Sequence, residues 1–582
     1  MNPLAPSPAA TNRLEPVVTV ARCDVLVHST SRQAAPQKSF ALAAGLLIVV
    51  WVVLNLAYLV CNCPFDLAPD EAHYWHWSRQ LDWSYYSKGP LIAWLIRGSC
   101  ELFGELSNRL VGSHMLAVRL PALMSSGVML AGLYSLARPT LRSGRAALAV
   151  VAAALTLPPI AMAAVMITTD PPFLACWVWA LVFVGRAVGR AGVRAWIAAG
   201  VCCALGVLAK YPMLLLPATV VGFLFVTRRA EFRRPGVWIF LALTVLGCVP
   251  IVLWSAAHDW VSLRHALGQT GIGDGVRERT FQWTRMLGFV AGQFGVLLGF
   301  WFLAFLAAGW RFRVSALRAS SSRSRGTGSG DHWVPLLWWT SLPVWGVFFV
   351  ASARNPGQLN WPAAAYVGGL ILAAIWIREQ LDGPRWWRRL IVGGLVAAMS
   401  TGVILSGWIH YPGLLRPTLA RLVGPGDDAN PTPVRKLDPT CRLLGWQTLA
   451  AEVDRIRDRV KRETGEEPAL AGMLWTTPGE LAFYGRDHPP AYSFGLALAD
   501  RHSQYDVWRP NPVVNPQAFR GRSFVYIGDE IPAAEGGVFD RVEPPVRVIH
   551  TVDGVPVASW TIWVGHGFRG LPASLRLRVR DY

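Results

Sequence analysis

About eleven runs of apolar residues, most long enough to cross a bilayer and parted by short polar gaps, leave this chain few folds other than a bundle of membrane helices. A hydrocarbon core about 30 Å thick takes roughly 20 residues at 1.5 Å rise each. The backbone inside it must satisfy its own hydrogen bonds, which selects the helix. The runs lie at about 40–60, 114–137, 146–164, 171–189, 195–210, 211–227, 236–255, 286–309, 334–351, 360–377 and 390–409. Only 16% of residues are charged and 53% are apolar, whereas soluble domains carry about 25% charge. Residues 40–60 read as an uncleaved first helix, because the polar leader is long and no clear small-x-small cleavage site follows.

The net charge of +19 raises the question of nucleic acid, and its distribution answers it. Residues 1–409 hold 34 Lys+Arg against 16 Asp+Glu, while 410–582 hold 21 against 20. The excess sits in short gaps between apolar runs, as in cytoplasmic loops, and no basic face for nucleic acid emerges. The gaps with Arg138/Arg142/Arg145, Arg186/Arg190/Arg194, Arg228/Arg229/Arg233/Arg234, Arg311 to Arg325 and Arg378 to Arg389 alternate along the chain. They fall on the side of the N-terminus, which is therefore inside. With an odd number of spans, everything after about 410 is outside. The nine cysteines are scattered and lack zinc spacing; a Cys63–Cys100 bridge on the outer side fits this topology, and the sequence does not decide it.

The fold class expected is an all-α polytopic membrane domain of about eleven spans with a small C-terminal α/β soluble domain. Residues 1–39 read as a disordered cytoplasmic tail, 40–410 as the membrane domain with a first outer loop at 62–113, and 430–582 as the outer domain. Within that loop, Leu91–Phe103 is apolar but short and carries Arg97 and Glu101, so it is expected along the membrane surface. The Ser/Gly/Arg-rich stretch 310–333 reads as a flexible inner connection. In the outer domain, Trp446–Thr464 has helical spacing closed by Gly465, and Pro478–Tyr484 reads as a short helix.

Topology sorts the unusual residues onto one membrane face. Asp70 and Glu71 open the first outer loop, and Lys88 and Lys210, two of only five lysines, stand at outer ends of apolar elements. Asp170 begins a span there; His258, Arg264 and His265 follow another. Each has a plainer reading. Asp70-Glu71 suits a helix N-terminus, Lys88 could be a snorkelling anchor, Asp170-Pro171-Pro172 an N-terminal turn, and the histidines interfacial groups. Trp75, Trp77, Trp83, Trp94 and the Tyr85-Tyr86 pair fit an interfacial aromatic belt that holds Asp70 and Lys88 in place. Coincidence on one face, rather than any single motif, favours function.

The segment Asp70-Glu71-Ala-x-Tyr-Trp-x-Trp-Ser-Arg-x-Leu-Asp-Trp-x-Tyr-Tyr, followed by Lys88-Gly-Pro-Leu-x-Ala-Trp-Leu, resembles the first outer loop of the C-type (GT-C) polyprenyl-phosphate-dependent glycosyltransferases, which include protein O-mannosyltransferases and lipid A aminoarabinose transferases. The resemblance continues through Arg119-Leu-Pro121, Thr169-Asp170-Pro171, Leu208-Ala-Lys210-Tyr211, His258-Asp-Trp260 with Arg264-His265, Asn360-Trp361-Pro362 and Glu480-Leu-Ala-Phe-Tyr484. It implies an inner-membrane enzyme with an outer-face site, a lipid-linked sugar donor and a lipid A, glycan, lipid or protein acceptor. Asp70 would take the proton of the acceptor hydroxyl, which attacks the anomeric carbon with inversion. Lys88 would hold the phosphate leaving group, with Arg264, His265 and Lys210 as helpers. Glu71, Tyr85, Arg119, Asp170, His258 and Asn360 would line the substrate. No metal motif is visible, and no cofactor beyond the donor is implied; divalent-ion dependence stays open. Ser87 replaces the acidic residue that precedes the lysine in some branches, which bears against aminoarabinose. The rival from another class is a transporter or flippase of lipid-linked sugars, which would place its ionisable residues near the bilayer midplane.

Overall fold

The computed structural model describes residues 30–270, 281–318 and 332–571, apart from 191, 356, 499, 501 and 530–536. The expected tail falls outside these as far as residue 29, as do 319–331 of the Ser/Gly/Arg-rich connection and the last residues, 572–582.

The first helix, α1 (Thr30–Cys61), begins inside the stretch expected as tail and continues through the first apolar run. Leu42, Leu46, Val49, Val50, Val53 and Leu54 stand exposed along it, an apolar wall that only lipid accommodates. The segment after α1 forms α2 (Pro69–Arg79) and α3 (Leu91–Val111). Then come α4 (Met115–Leu141), α5 (Gly144–Leu155), α6 (Pro158–Val165), α7 (Asp170–Ala187), α8 (Arg194–Ala209), α9 (Leu215–Thr227), α10 (Pro235–Ala257) and α11 (Val261–Thr270). The bundle ends with α12 (Trp283–Val296), α13 (Phe300–Leu317), α14 (Trp333–Ser352), α15 (Ala363–Gln380), α16 (Arg385–His410) and the short α17 (Arg416–Val423).

Two expected spans are broken. Pro158 and Pro159 lack the N–H groups that would continue α5, and α6 leaves it at 71°. The run at 286–309 is two helices, parted where Leu298 and Gly299 take left-handed backbone with φ of 55° and 65°. Among the described residues six helices are long and apolar enough to cross a membrane, or seven with the bent α5–α6 pair; α8 and the segment Tyr211–Thr227 are shorter.

After α17 the chain builds α18 (Trp446–Thr464), β1 (Ala469–Gly472), α19 (Thr476–Tyr484), β2 (Ala491–Ser493), α20 (Gln504–Val507), β3 (Phe524–Ile527), β4 (Phe539–Val542), β5 (Val546–Val552) and β6 (Val555–Phe568). The sheet order is β2-β1-β3-β6-β4, with β5 also on β6. The pairs among β1, β2 and β3 are parallel and those to β6 antiparallel. Leu449, Val453, Ile456 and Val460 of α18 are buried as their spacing requires, and Gly465 ends the helix in the left-handed region.

One core runs from the segment around α2 into this sheet domain. Leu67, Ala72, Tyr74, Trp75, Trp77 and Tyr85 pack with Leu449, Val453, Leu481, Phe483 and Val525. The close approach of α19 to α2 needs Gly479, because a Cβ there would sit 2.9 Å from the His73 nitrogen. The aromatic-belt expectation is corrected here. Trp75, Trp77, Tyr85 and Tyr86 are buried against the sheet domain, and of that set Trp83 stays largely exposed. Burying an aromatic ring contributes roughly 2–3 kcal/mol, and a covering domain makes that available here.

Candidate active site

The site is built outward from α2. Pro69 starts the helix without needing a donor, and Ala68 has no side chain with which to cap it, so Glu71 takes that part: its Oε2 accepts from the Ala68 N–H at 2.8 Å. The same oxygen accepts from Arg119 Nη2 at 2.9 Å. The other, Oε1, accepts from Arg119 Nε at 3.1 Å and from the Ile167 N–H at 2.8 Å. Arg119 also donates to the carbonyls of Phe65 and Asp66 and to Cys63 Sγ. Glu71 and Arg119, expected to line substrate, are therefore a buried ion pair joining α2 to α4 and to the loop before α7. Cys63 and Cys100 are both free thiols: the first lies under Arg119 and the second is carried by α3 into the shared core, so the bridge that topology allowed is not formed.

Asp66 extends the same stitching. Its carboxylate accepts from the Trp446 N–H at 2.8 Å and Gln447 Nε2 at 2.7 Å, holding the start of α18. The Leu67 N–H donates to the Tyr484 hydroxyl at 2.6 Å. Glu480 is buried one turn before Tyr484, and neither of its oxygens has a hydrogen-bond partner among the described residues. Burial, reinforced by Asp66 and Glu71, pushes its carboxyl well above the ordinary range.

Asp70, one position before Glu71, is exposed and opens onto a cavity of about 910 Å³. Pro158, Met162, Leu405 and Trp408, from α6 and α16, line one side. Trp446, Trp475 and Trp560 of the sheet domain line the other, together with Arg435 and Arg442.

Lys88 belongs to a turn folded back on the far part of α2. Tyr85 stacks on Trp77 with centroids 4.4 Å apart, and its hydroxyl bonds the carbonyls of Trp77 and Gln80. Tyr85 is thus a support of the turn. The Tyr85 N–H and Ser84 hydroxyl donate to the Lys88 carbonyl. Gly89 lies against the end of α8, where a Cβ would be 2.2 Å from the Leu208 oxygen. Trp77 follows Asp70 by seven residues, roughly 10 Å of helix, so the turn packs about that far along α2 from Asp70.

Next to Leu208 a second carboxylate is enclosed. Asp170 accepts from Lys210 Nζ at 2.6 Å through Oδ1 and from Asn360 Nδ2 at 2.5 Å through Oδ2. These three were expected to share a site and do meet. His258 stacks on Trp254, which donates to Asp82 at 2.6 Å. Asp259 and Trp260 follow in left-handed backbone, and Arg264 donates to the Asp259 carbonyl. His265 packs on Tyr86 with centroids 4.8 Å apart. A second cavity of about 580 Å³ here is lined by Tyr86, His258, Arg264, His502, Asp506 and Arg509 among others. Burial raises the Asp506 carboxyl to about 6. Among the described residues no cluster of His, Cys, Asp and Glu is arranged to hold a metal ion.

Asp66, Arg435, Arg442, Trp446 and Glu480 enter the site from outside the residues singled out by sequence, although Glu480 lay within a matched motif. Nothing local distinguishes a lone Asp in a Phe-Asp-Leu context or an Arg in a Pro-rich turn. Only contacts across hundreds of residues reveal them.

Residues 87–254 match the family described as dolichyl-phosphate-mannose-protein mannosyltransferase. The chain is 30% identical over 364 residues to the lipid A galacturonosyltransferase RgtD of Rhizobium johnstonii, covering 61% of this chain and 70% of that protein. The fold is similar to crystal structures of ArnT from Cupriavidus metallidurans, apo and bound to undecaprenyl phosphate. The TM-score is 0.54 at 18% identity for each, covering 89% of this chain and 97% of the other.

Proposed function

Because the chain belongs to the GT-C family of polyprenyl-phosphate-dependent membrane glycosyltransferases, we propose that it moves a sugar from such a donor to lipid A, with Asp70 as the general base. It is a multi-pass membrane enzyme, and the transporter alternative falls with that membership. The observation that carries the reading is a carboxylate open to a cavity walled on one side by membrane helices. An acceptor whose chains stay in lipid can present a hydroxyl there. The hydroxyl oxygen attacks the anomeric carbon, its proton passes to Asp70, and the bond from that carbon to the phosphate oxygen breaks with inversion. Both electrons leave with the polyprenyl phosphate. That leaving group is anionic, so it calls for cations more than for an acid. Lys88, aided by Arg264, His265 and Lys210, is proposed for this, with Asp170, His258 and Asn360 shaping the donor side.

Galacturonic acid is the first donor sugar to test, since the named relative transfers it to lipid A. Purified protein in nanodiscs, given undecaprenyl-phosphate galacturonic acid and lipid A, should release undecaprenyl phosphate and yield a heavier lipid A by mass spectrometry. No product with lipid A, but product with another envelope lipid, would move the acceptor assignment. The cations are proposed to suffice without a divalent ion, so turnover should survive a strong chelator. The finer topology belongs to the proposal too: eleven spans in the inner membrane, N-terminus cytoplasmic, sheet domain outside. A cytoplasm-only reporter fused after Tyr582 should stay silent.

A further inference from the structure

The larger cavity holds two arginines whose side chains no described residue pairs with. Arg435 sits in the short turn Pro433–Lys436 and Arg442 in Pro439–Leu443. Both line the cavity that contains Asp70. Among the described residues, neither side chain is hydrogen-bonded or paired with a carboxylate, although Asp529 also lines the cavity. The arginines around them are consumed: Arg416 is paired with Asp438 at 3.0 Å, and Arg119 with Glu71. Arg435 and Arg442 also lie close enough to repel each other. Partial burial and the neighbouring Arg442 push the Arg435 guanidinium below its ordinary range. Both side chains are exposed, so their donors are open to an anion entering the cavity, and one that pairs with both also relieves the like-charge repulsion.

We propose that Arg435 and Arg442 bind a phosphate group of the lipid acceptor, fixing it in the cavity while Asp70 faces the hydroxyl that is glycosylated. The inference rests on the lipid A reading above and adds the residues that recognise the acceptor. Charge favours phosphate: a phosphomonoester carries about −1.5 to −2 near neutral pH, matching two guanidinium groups, whose forked donors suit its oxygens. The geometry favours the acceptor over the donor. A general base must face the acceptor hydroxyl, and it is Asp70 that opens here. The candidate donor-phosphate cations lie elsewhere, with the Lys88 turn against the far part of α2 and Arg264 on the second cavity. Walls from α6 and α16 place this cavity beside lipid, and its size suits a headgroup. The arginines come from the sheet domain and the base from the first outer segment, so the domain that covers α2 also selects what reaches Asp70.

The test uses full-length protein in nanodiscs with three probes: bis-phosphorylated lipid A, the same lipid A after phosphatase treatment, and undecaprenyl phosphate. Wild-type protein should bind the phosphorylated form tighter than the treated one by roughly tenfold to a hundredfold, the range of hydrogen bonds to charged groups. The double variant R435Q/R442Q should lose that difference, show the same rise in KM for lipid A, and bind undecaprenyl phosphate unchanged. The wild-type comparison involves no mutation, so it stands whether or not the variant folds. A double variant that keeps the wild-type KM while lipid A is turned over overturns the arginine assignment and leaves the function intact. Loss of undecaprenyl phosphate binding instead would assign the arginines to the donor and overturn the proposal. Wild-type protein that neither binds nor glycosylates lipid A would overturn the acceptor reading with it.

Discussion

The first turn of α2 and the meeting point of α7 and α8 each present a carboxylate among cations, and they differ in how those carboxylates are enclosed. At α2 the work is divided between neighbours. Glu71 is sealed, with both oxygens accepting from Arg119 and from backbone N–H groups, whereas Asp70 faces an open cavity. At α7 one residue does everything: Asp170 is paired with Lys210 and bonded by Asn360. A carboxylate paired with a cation is held in its charged form and is less suited to take a proton from substrate, though it can shape a site. The contrast supports the proposal that Asp70 takes the proton while the others hold geometry, and each half can be broken separately.

The largest effect is expected at Asp70. Asp70→Asn should lower turnover by about 10³-fold or more, within the upper range of general base catalysis, while the thermal unfolding midpoint stays as in wild type. Full turnover by this variant would move the base elsewhere, with Asp170 the obvious rival. Glu71→Gln should do the reverse, costing roughly 3–5 kcal/mol of stability by stranding the Arg119 charge. Calorimetry that finds the variant within about 1 kcal/mol of wild type would contradict the sealed pair.

At the second carboxylate a smaller loss of stability is expected, because Asp170 is less completely buried than Glu71. Asp170→Asn strands Lys210 and should cost about 3 kcal/mol, toward the lower end for buried pairs. Removing both charges, in Asp170→Leu with Lys210→Met, should recover much of the stability without the activity. A double variant with normal turnover would reduce the cluster to a structural part.

The smallest effect is a pH slope. Glu480 has its folded-state carboxyl raised, so the folded protein holds a proton that the unfolded chain releases above the ordinary carboxylate range. Its contribution to stability is therefore present at low pH and lost as pH rises from about 4.5 toward the raised value. Glu480→Gln, which mimics the protonated acid, should flatten that part of the unfolding-midpoint profile and leave kcat nearly unchanged. A slope that persists in this variant would point to Asp506, whose carboxyl is raised to about 6.

Much of this was legible in the chain because it depends on local composition. Apolar length marks a membrane helix wherever it falls, and the spacing of Leu449, Val453, Ile456 and Val460 marks a helix face without knowledge of its partner. The resemblance picked out Asp170, Lys210 and Asn360 together, and the fold joins them. It could not separate Asp70 from Glu71. Both are acids at a helix start, and which one turns toward Arg119 depends on α4, roughly fifty residues away. The aromatic residues illustrate the opposite failure. Trp75, Trp77 and Tyr85 have the composition of an interfacial belt, and only the sheet domain four hundred residues later makes them core.

By itself the sequence determined that this is a multi-pass membrane protein with a polar, carboxylate-bearing segment after its first helix, because transfer of apolar side chains from water to lipid is set by residue type and run length. Tertiary structure alone decided which carboxylate is open, which arginines are spent and which remain in the cavity. Those are matters of who satisfies whose hydrogen bonds, and the partners of Asp66 and Glu71 come from segments that sequence order keeps far apart.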